Sequence, residues 1–122
     1  MKKDIYENFD SEAYAEMLAQ AKEEEVHIVH HYDRDLPKGG YTFVWTRDNP
    51  FSRKGKMVRV AVSFCSSKDH YCRKIGASQA LANFYAGENI LLPVGEQDSE
   101  LVVEVLRNIF SYSQNAYSSE RY

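Results

Sequence analysis

Two serines and three cations lie close together where a predicted strand meets a predicted helix, in the stretch SSKDHYCRK. They are Ser66, Ser67, Lys68, Arg73 and Lys74. Hydroxyl groups, cationic side chains and the unpaired backbone N–H groups of a helix start all bind phosphate well. The spacing therefore predicts an anion site at this junction. A plain helix cap is the alternative, in which one serine caps the helix and Asp69 pairs with Arg73 on its surface.

A second group of cations follows the second predicted strand. It consists of Arg47, Arg53, Lys54 and Lys56 in a predicted hairpin turn. Aromatic residues accompany both groups, and Trp45, Phe51 and Tyr71 could stack on a nucleobase or on a guanidinium. We therefore add Arg47, Arg53 and Tyr71 to the candidate ligand-binding residues. Alternatively, these charged side chains are simply solvated in the turn, and Phe51 packs against the turn to hold it in place.

The histidines of the stretch VHIVHHYD do not predict a metal site. On a strand, His27 and His31 share a face but lie about 13 Å apart at 3.3 Å per residue, which is too far for one ion. We expect His27, His30 and His31 to lie on a half-exposed face of a sheet. No metal and no other cofactor is predicted.

Cysteine catalysis is a third interpretation. Cys65 or Cys72 near a helix start could act as a nucleophile with His70 as its base. However, no orienting residue or oxyanion loop is recognisable, and the sequence contains neither a Walker-type loop nor a pair of carboxylates placed for catalysis. These residues favour a binding protein over an enzyme, so no catalytic residue is assigned.

Charge is unevenly distributed along the chain of 122 residues, which is the length of one domain. Residues 37–86 carry nine Lys or Arg against two Asp or Glu, whereas both flanking segments are acidic. The basic middle favours an anionic ligand, and the acidic flanks argue against a dedicated nucleic-acid binder. The first residues lack the apolar run of a secretory signal, so we expect the protein in the cytoplasm.

Periodicity and turn residues predict the elements that must position these side chains. In chain order they are a helix over residues 11–24 capped by Asp10 or Ser11, strands over 26–33, 41–48 and 57–65, a helix over 68–86 ended by Gly87, an edge segment around Pro93, and a helix after Asp98. The sequence therefore predicts an α+β fold, a small antiparallel sheet of three or four strands with helices packed on one face. We expect one domain over residues 1–112 and a flexible tail over 113–122.

Two apolar stripes are predicted to build most of the core. The third strand places Val58, Val60, Val62 and Phe64 on one face. The last helix places Leu101, Val102, Val105, Leu106 and Ile109 on a buried stripe.

The stretch VRVAVSFCSSKDHYCRKIGASQALA, about a fifth of the chain, resembles a segment of small phage-encoded accessory proteins. Among these it is similar to the Thoeris anti-defence family, whose members sequester cyclic ADP-ribose-type signals without cleaving them. The resemblance implies ligand-binding roles for Ser66, Ser67, Lys68, Arg73 and Lys74. The sequence departs from the family at Ala77, where we expect members to carry a basic residue.

The basic junction predicts a protein that binds a phosphorylated small molecule without transforming it. The resemblance implies that it is a phage counter-defence protein, which sequesters a cyclic nucleotide or an ADP-ribose-type immune signal. An inhibitor that docks on a host or defence protein, or a nucleic-acid-binding module using the basic middle, is the alternative. Nine tyrosines and six phenylalanines exceed what one small core readily encloses, so we also expect a homo-oligomer. No membrane partner is predicted, and the expected compartment is the cytoplasm, which is that of the host cell if the protein is phage-encoded.

Overall fold

A computed structural model describes residues 10–32, 39–47, 57–65, 72–93 and 98–120, with the backbone alone for residues 114–120. Within them the elements are α1 (Ser11–Glu23), β1 (His27–His31), β2 (Tyr41–Arg47), β3 (Met57–Phe64), α2 (Arg73–Tyr85), β4 (Ile90–Pro93) and α3 (Ser99–Glu120). The four strands form one antiparallel sheet in the order β1-β2-β3-β4. The predicted α+β class and its small antiparallel sheet are confirmed.

The register of the sheet decides which side chains share a face. His27 of β1 lies opposite Trp45 of β2, and Trp45 lies opposite Val60 of β3. β4 pairs with β3 and is an edge strand, as the proline near its end predicts, because Pro93 has no N–H to donate to a ladder.

One face of the sheet packs against α3. Its buried cluster combines Tyr41, Phe43 and Trp45 of β2 with Val58 and Val60 of β3 and with Val102, Leu106 and Phe110 of α3. Val62 and Phe64 pack against this cluster, which confirms the predicted core side of β3. The aromatic rings fill the space beneath the helix, and the rings of Phe43 and Phe110 lie 5.3 Å apart between centroids.

The opposite face packs against α2 and α1. Val44 and Ala61 of the sheet are buried with Ala80 and Leu81 of α2 and Ala21 of α1. The prediction that helices pack on one face is therefore corrected, because helices cover both faces. The physical reason lies in β2, where residues 41–45 are all buried and each face of the strand must be covered.

The buried stripe of α3 is narrower than the sequence predicts. Val102 and Leu106 are fully buried, whereas Leu101 is 47% exposed and Ile109 is 40% exposed. The predicted stripe is therefore wrong for Leu101 and Ile109, because an amphipathic pattern alone does not say which edge of the stripe faces the sheet. The helical backbone continues to Glu120, and the flexibility predicted for residues 113–122 stays a prediction.

The ends of two helices follow the predicted capping rules. Asp10 Oδ1 accepts hydrogen bonds from the backbone N–H groups of Glu12 and Ala13 at the start of α1. Asp98 Oδ1 accepts a hydrogen bond from the N–H group of Leu101 in the first turn of α3. The predicted caps of these two helices are confirmed.

Gly87 ends α2 in a left-handed conformation, with φ of 85°. The Glu88 N–H group donates to the carbonyl of Asn83 at 2.9 Å, and the Gly87 N–H group donates to the carbonyl of Phe84 at 3.3 Å. This pair of bonds is the Schellman motif, which satisfies carbonyls that the helix end would leave unpaired. The predicted end of the helix at Gly87 is confirmed.

We expect Gly87→Ala to lower the free energy of unfolding by about 1 kcal/mol. A Cβ built at Gly87 meets nothing within 4 Å, so the cost comes from the left-handed backbone and not from a clash. Urea denaturation measures this change in the free energy of unfolding. The control is Ala86→Gly at the neighbouring position, where φ is −83° and glycine gains nothing from its freedom. A Gly87→Ala variant that is as stable as the wild type would show that this helix end relaxes.

A candidate ligand groove between the sheet and the last helix

The helix of the predicted anion site, α2, begins later in the chain than the sequence predicts. The helix begins at Arg73 and not near Ser66 or Ser67, because Cys72, with φ of −123° and ψ of 116°, is the capping residue. Arg73 and Lys74 are exposed in the first turn, and within this described turn no acidic residue accompanies them. The prediction that the helix spans residues 68–86 is therefore wrong at its beginning. Ser66, Ser67, Lys68 and Tyr71 lie outside the described residues, as does Arg53 of the second cluster.

Arg47 and Arg73, the described arginines of the two predicted basic groups, do not lie together. Arg73 lies near His30, whose pKa it influences, and His30 is paired with Thr42 at the beginning of β2. Arg47 ends the same strand, about 17 Å further along at 3.4 Å per residue. Arg47 also shares a face with Trp45, beneath α3, whereas α2 packs on the opposite face. One small anion therefore cannot contact both Arg47 and Arg73.

A groove of about 320 Å³ lies between β1, β2 and α3. The strands contribute His27, Val29 and Trp45, and α3 contributes Ser99, Glu100, Val103 and Arg107. This volume is at the lower end of the range of small-molecule pockets. The groove therefore has room for one compact ligand.

Trp45 is the buried aromatic side of the groove. It is 1% exposed, and its Nε1–H group is buried with no hydrogen-bond partner among the described residues. A buried donor without a partner costs about 1–3 kcal/mol. Packing in the core accounts for the burial of the Trp45 ring, but the fold gains no stability from leaving its N–H group without a partner.

His27 and Arg47 flank the indole of Trp45. The imidazole of His27 lies 4.6 Å from the Trp45 ring between centroids, at an interplanar angle of 38°. The guanidinium carbon of Arg47 lies 5.8 Å from the ring centroid, within the range of a cation–π contact. The sequence analysis expected Trp45 to stack on a guanidinium or a base, and the structure places a guanidinium beside it.

Charges of both signs border the groove on α3. Glu100 lies in the first turn of the helix, and Arg107 lies about 10 Å further along at 1.5 Å per residue. Glu100 and Arg107 line the groove together with the apolar side chains Val29 and Val103, and a second guanidinium, that of Arg47, lies beside the indole. This arrangement can hold a ligand that combines an apolar or aromatic body with anionic groups.

The sequence patterns do not point to Glu100, Arg107 or His27 as groove residues. No motif singles out Glu100 or Arg107, and His27 is only one of several strand histidines. Their sequence separation from Trp45 hides their proximity, because the sheet register and the docking of α3 bring them together. A weak signal existed in the alternation of β1, which puts His27 and Val29 on one face.

Of the other two histidines of β1, His30 is partly buried and His31 is exposed. His30 Nδ1 lies 3.0 Å from Thr42 Oγ1 on the α2 face. Burial lowers the pKa of His30, and the nearby charge of Arg73 lowers it further. His31 stacks on Tyr41, and its pKa is lowered by burial and by Arg107. Within the described parts of the chain, no cluster of three potential metal ligands occurs.

We expect the folded protein to lose stability as the pH falls below about 6.5, the ordinary pKa of histidine. The folded state lowers the pKa of His30 and His31, so the unfolded chain takes up protons at a higher pH. The stability from neutral histidines is therefore complete above this pH and is lost as the pH falls through the lowered values. Urea denaturation at pH 7.5 and at pH 5.5 measures the free energy of unfolding, and His30→Gln should reduce the difference between the two values. If His30→Gln shows the same difference as the wild type, the loss of stability does not come from His30.

Comparisons of the chain with protein-family models, with curated proteins and with solved structures found no match.

Proposed function

We propose that this protein binds and sequesters a phosphorylated small molecule without transforming it, and that the groove between β1, β2 and α3 is the binding site. The observation that carries the proposal is the buried indole of Trp45, flanked by His27 and Arg47, beside a groove that also contains Arg107. The indole side supplies apolar contact, and the guanidiniums supply charge-assisted hydrogen bonds to phosphate oxygens. A cyclic nucleotide or an ADP-ribose-type signal has both parts, and a phage counter-defence protein would act by such sequestration.

Non-enzymatic binding is the activity that these groups support best. Guanidiniums remain charged at all physiological pH values and hold phosphate without exchanging protons. The ligand should therefore be recovered unchanged from the complex. Among the ligand-binding residues predicted from the sequence, Arg47 lies beside Trp45 of this groove, whereas Arg73 and Lys74 lie at the start of α2, which packs on the other face of the sheet.

Isothermal titration calorimetry tests the proposal with a panel of cyclic nucleotides, ADP-ribose derivatives and their unphosphorylated nucleosides. We expect at least one phosphorylated compound to bind with a stoichiometry of one per chain and to be recovered intact by chromatography. Its affinity should exceed that of the matching nucleoside and should fall gently with salt. Single-stranded oligonucleotides should bind weakly or not at all, because a contact with several phosphates gives a steep salt dependence. Tight oligonucleotide binding with a steep slope would favour the nucleic-acid alternative.

A specific observation favours a protein partner as the second candidate. The large hydrophobic side chains that are exposed in the described residues all belong to β4 and α3, namely Ile90, Leu91, Leu101, Ile109 and Tyr112. The exposed apolar side chains of α3, Leu101, Ile109 and Tyr112, are the kind of surface that a protein partner covers. An inhibitor that docks on a host or defence protein could use this surface.

We propose a second copy of the chain as a partner of this surface, in a homo-oligomer. Light scattering at micromolar concentration should give a mass of at least twice the 14.1 kDa of one chain. Tyr112→Glu, at a side chain 78% exposed, should shift the mass towards the monomer because a charge at an apolar interface is poorly solvated. A monomer mass for the wild type across the range would reject the oligomer.

None of the helices in the described part of the chain combines the length and the apolar character that a bilayer crossing needs. The proposed place of action is the cytoplasm of the host cell, where phosphorylated signals occur.

A further inference from the structure

We infer that the groove holds a planar nitrogen heterocycle, and that this ring stacks on Trp45 in the place now taken by the imidazole of His27. The inference rests on the proposed function, because it names the part of the ligand that the phosphate-binding guanidiniums do not contact. It begins from the one aromatic contact that crosses from β1 to β2 in the groove, at 4.6 Å between ring centroids.

The imidazole of His27 is itself a planar nitrogen heterocycle. It belongs to an exposed residue at the beginning of the edge strand β1, so its side chain can turn outward into solvent with little loss of packing. Trp45, in contrast, is buried on the sheet face beneath α3 and keeps its position. A ligand ring can therefore replace His27 on the indole without disturbing the core.

The other side chains that line the groove are compatible with a planar nitrogen heterocycle. Val29 and Val103 provide apolar contact beside the indole, and the carboxylate of Glu100 can accept a hydrogen bond from an exocyclic amino group. Purines present both an amino group or carbonyl and ring nitrogen acceptors. Adenosine and guanosine are therefore suitable probes, since they contain the heterocycle but no phosphate.

The test uses the fluorescence of Trp45, the only tryptophan in the chain. We expect a purine nucleoside to change this fluorescence saturably, whereas ribose 5-phosphate, which lacks the ring, leaves it unchanged. His27→Ala should tighten nucleoside binding about three- to tenfold, because the ligand no longer competes with the imidazole for the indole. His31→Ala is the matched control, since His31 is exposed on the same strand but stacks on Tyr41, and it should leave the affinity unchanged.

A second variant tests the stacking face. Trp45→Phe keeps an aromatic ring but offers a smaller face, and calorimetry should show nucleoside binding weakened about two- to tenfold. If Trp45→Phe does not fold, the comparison of His27→Ala with His31→Ala still tests the inference, because both variants change exposed residues. No nucleoside binding, or an affinity that His27→Ala lowers or leaves unchanged, would overturn the inference.

The outcomes separate this inference from the proposed function. Tight binding of phosphorylated compounds with no effect of His27→Ala on nucleosides would keep the proposed function and reject the stacked heterocycle. Nucleoside binding that His27→Ala tightens, with no gain in affinity from added phosphate, would keep the heterocycle site and reject the sequestration of phosphorylated ligands.

Discussion

Replacing Leu106 by alanine is expected to lower the free energy of unfolding by about 2–5 kcal/mol, the usual cost of removing a buried leucine side chain. Leu106 is fully buried where α3 packs on the aromatic side chains of β2. The loss combines the apolar area returned to water with the cavity that the rigid aromatic neighbours cannot close. Urea denaturation followed by circular dichroism measures the change.

Leu101→Ala is the control for this variant, because it makes the same chemical change five residues earlier on the same helix. Leu101 is 47% exposed, so we expect its replacement to cost less than about 1 kcal/mol. The helix propensity of the new alanine is the same at both positions. Equal losses for the two variants would show that α3 does not pack on the sheet through the Leu106 side of the helix.

The second large effect is expected at the groove. Replacing both Arg47 and Arg107 by glutamine should weaken binding of a phosphorylated ligand by about 2–4 kcal/mol, because charge-assisted hydrogen bonds to phosphate are lost. Stability should fall by about 1 kcal/mol or less, since the Arg47 side chain contributes a cation–π contact to Trp45. The Tyr41 hydroxyl donates to the Arg107 carbonyl, which the substitution keeps. Calorimetric titration beside thermal denaturation measures both effects.

The matched variant replaces Arg73 and Lys74 by glutamine, which removes the same number of positive charges from the start of α2. Its affinity should stay within about twofold of the wild type if the groove is the site, because distant exposed charges are screened by salt. Its stability should rise slightly, since cations are unfavourable at the positive end of a helix. If only this variant loses affinity, the ligand binds at the start of α2, as the sequence predicts, and not in the groove.

Much of the fold could be read directly from local sequence patterns. Asp10, Asp98 and Gly87 each act through backbone groups within a few residues, so their roles as caps follow from residue type and spacing. The alternation of Val58 and Val60 likewise predicts which side of β3 is buried, because successive side chains of a strand point to opposite faces.

Local patterns were less reliable where two different packings satisfy the same periodicity. The helix before Gly87 was predicted to begin at Ser66 or Ser67 because serine is a good capping residue, yet it begins after Cys72, whose side chain makes no capping bond. Leu101 and Leu106 both fit the apolar stripe of the last helix, but only one of them meets the sheet. Helix propensity does not choose between such alternatives, and packing does.

The candidate site depended almost entirely on tertiary structure. Composition and residue types predicted a basic middle and named Arg47, Arg73 and Trp45 as candidates for ligand contact. The sequence by itself therefore determined the elements, their caps, the antiparallel sheet and the kinds of side chain available for binding. Only the tertiary structure placed Arg47 and Arg73 far apart and brought His27, Trp45 and α3 together. Contacts between residues far apart in sequence depend on the strand register and on which helix covers which face of the sheet, and no local pattern encodes either.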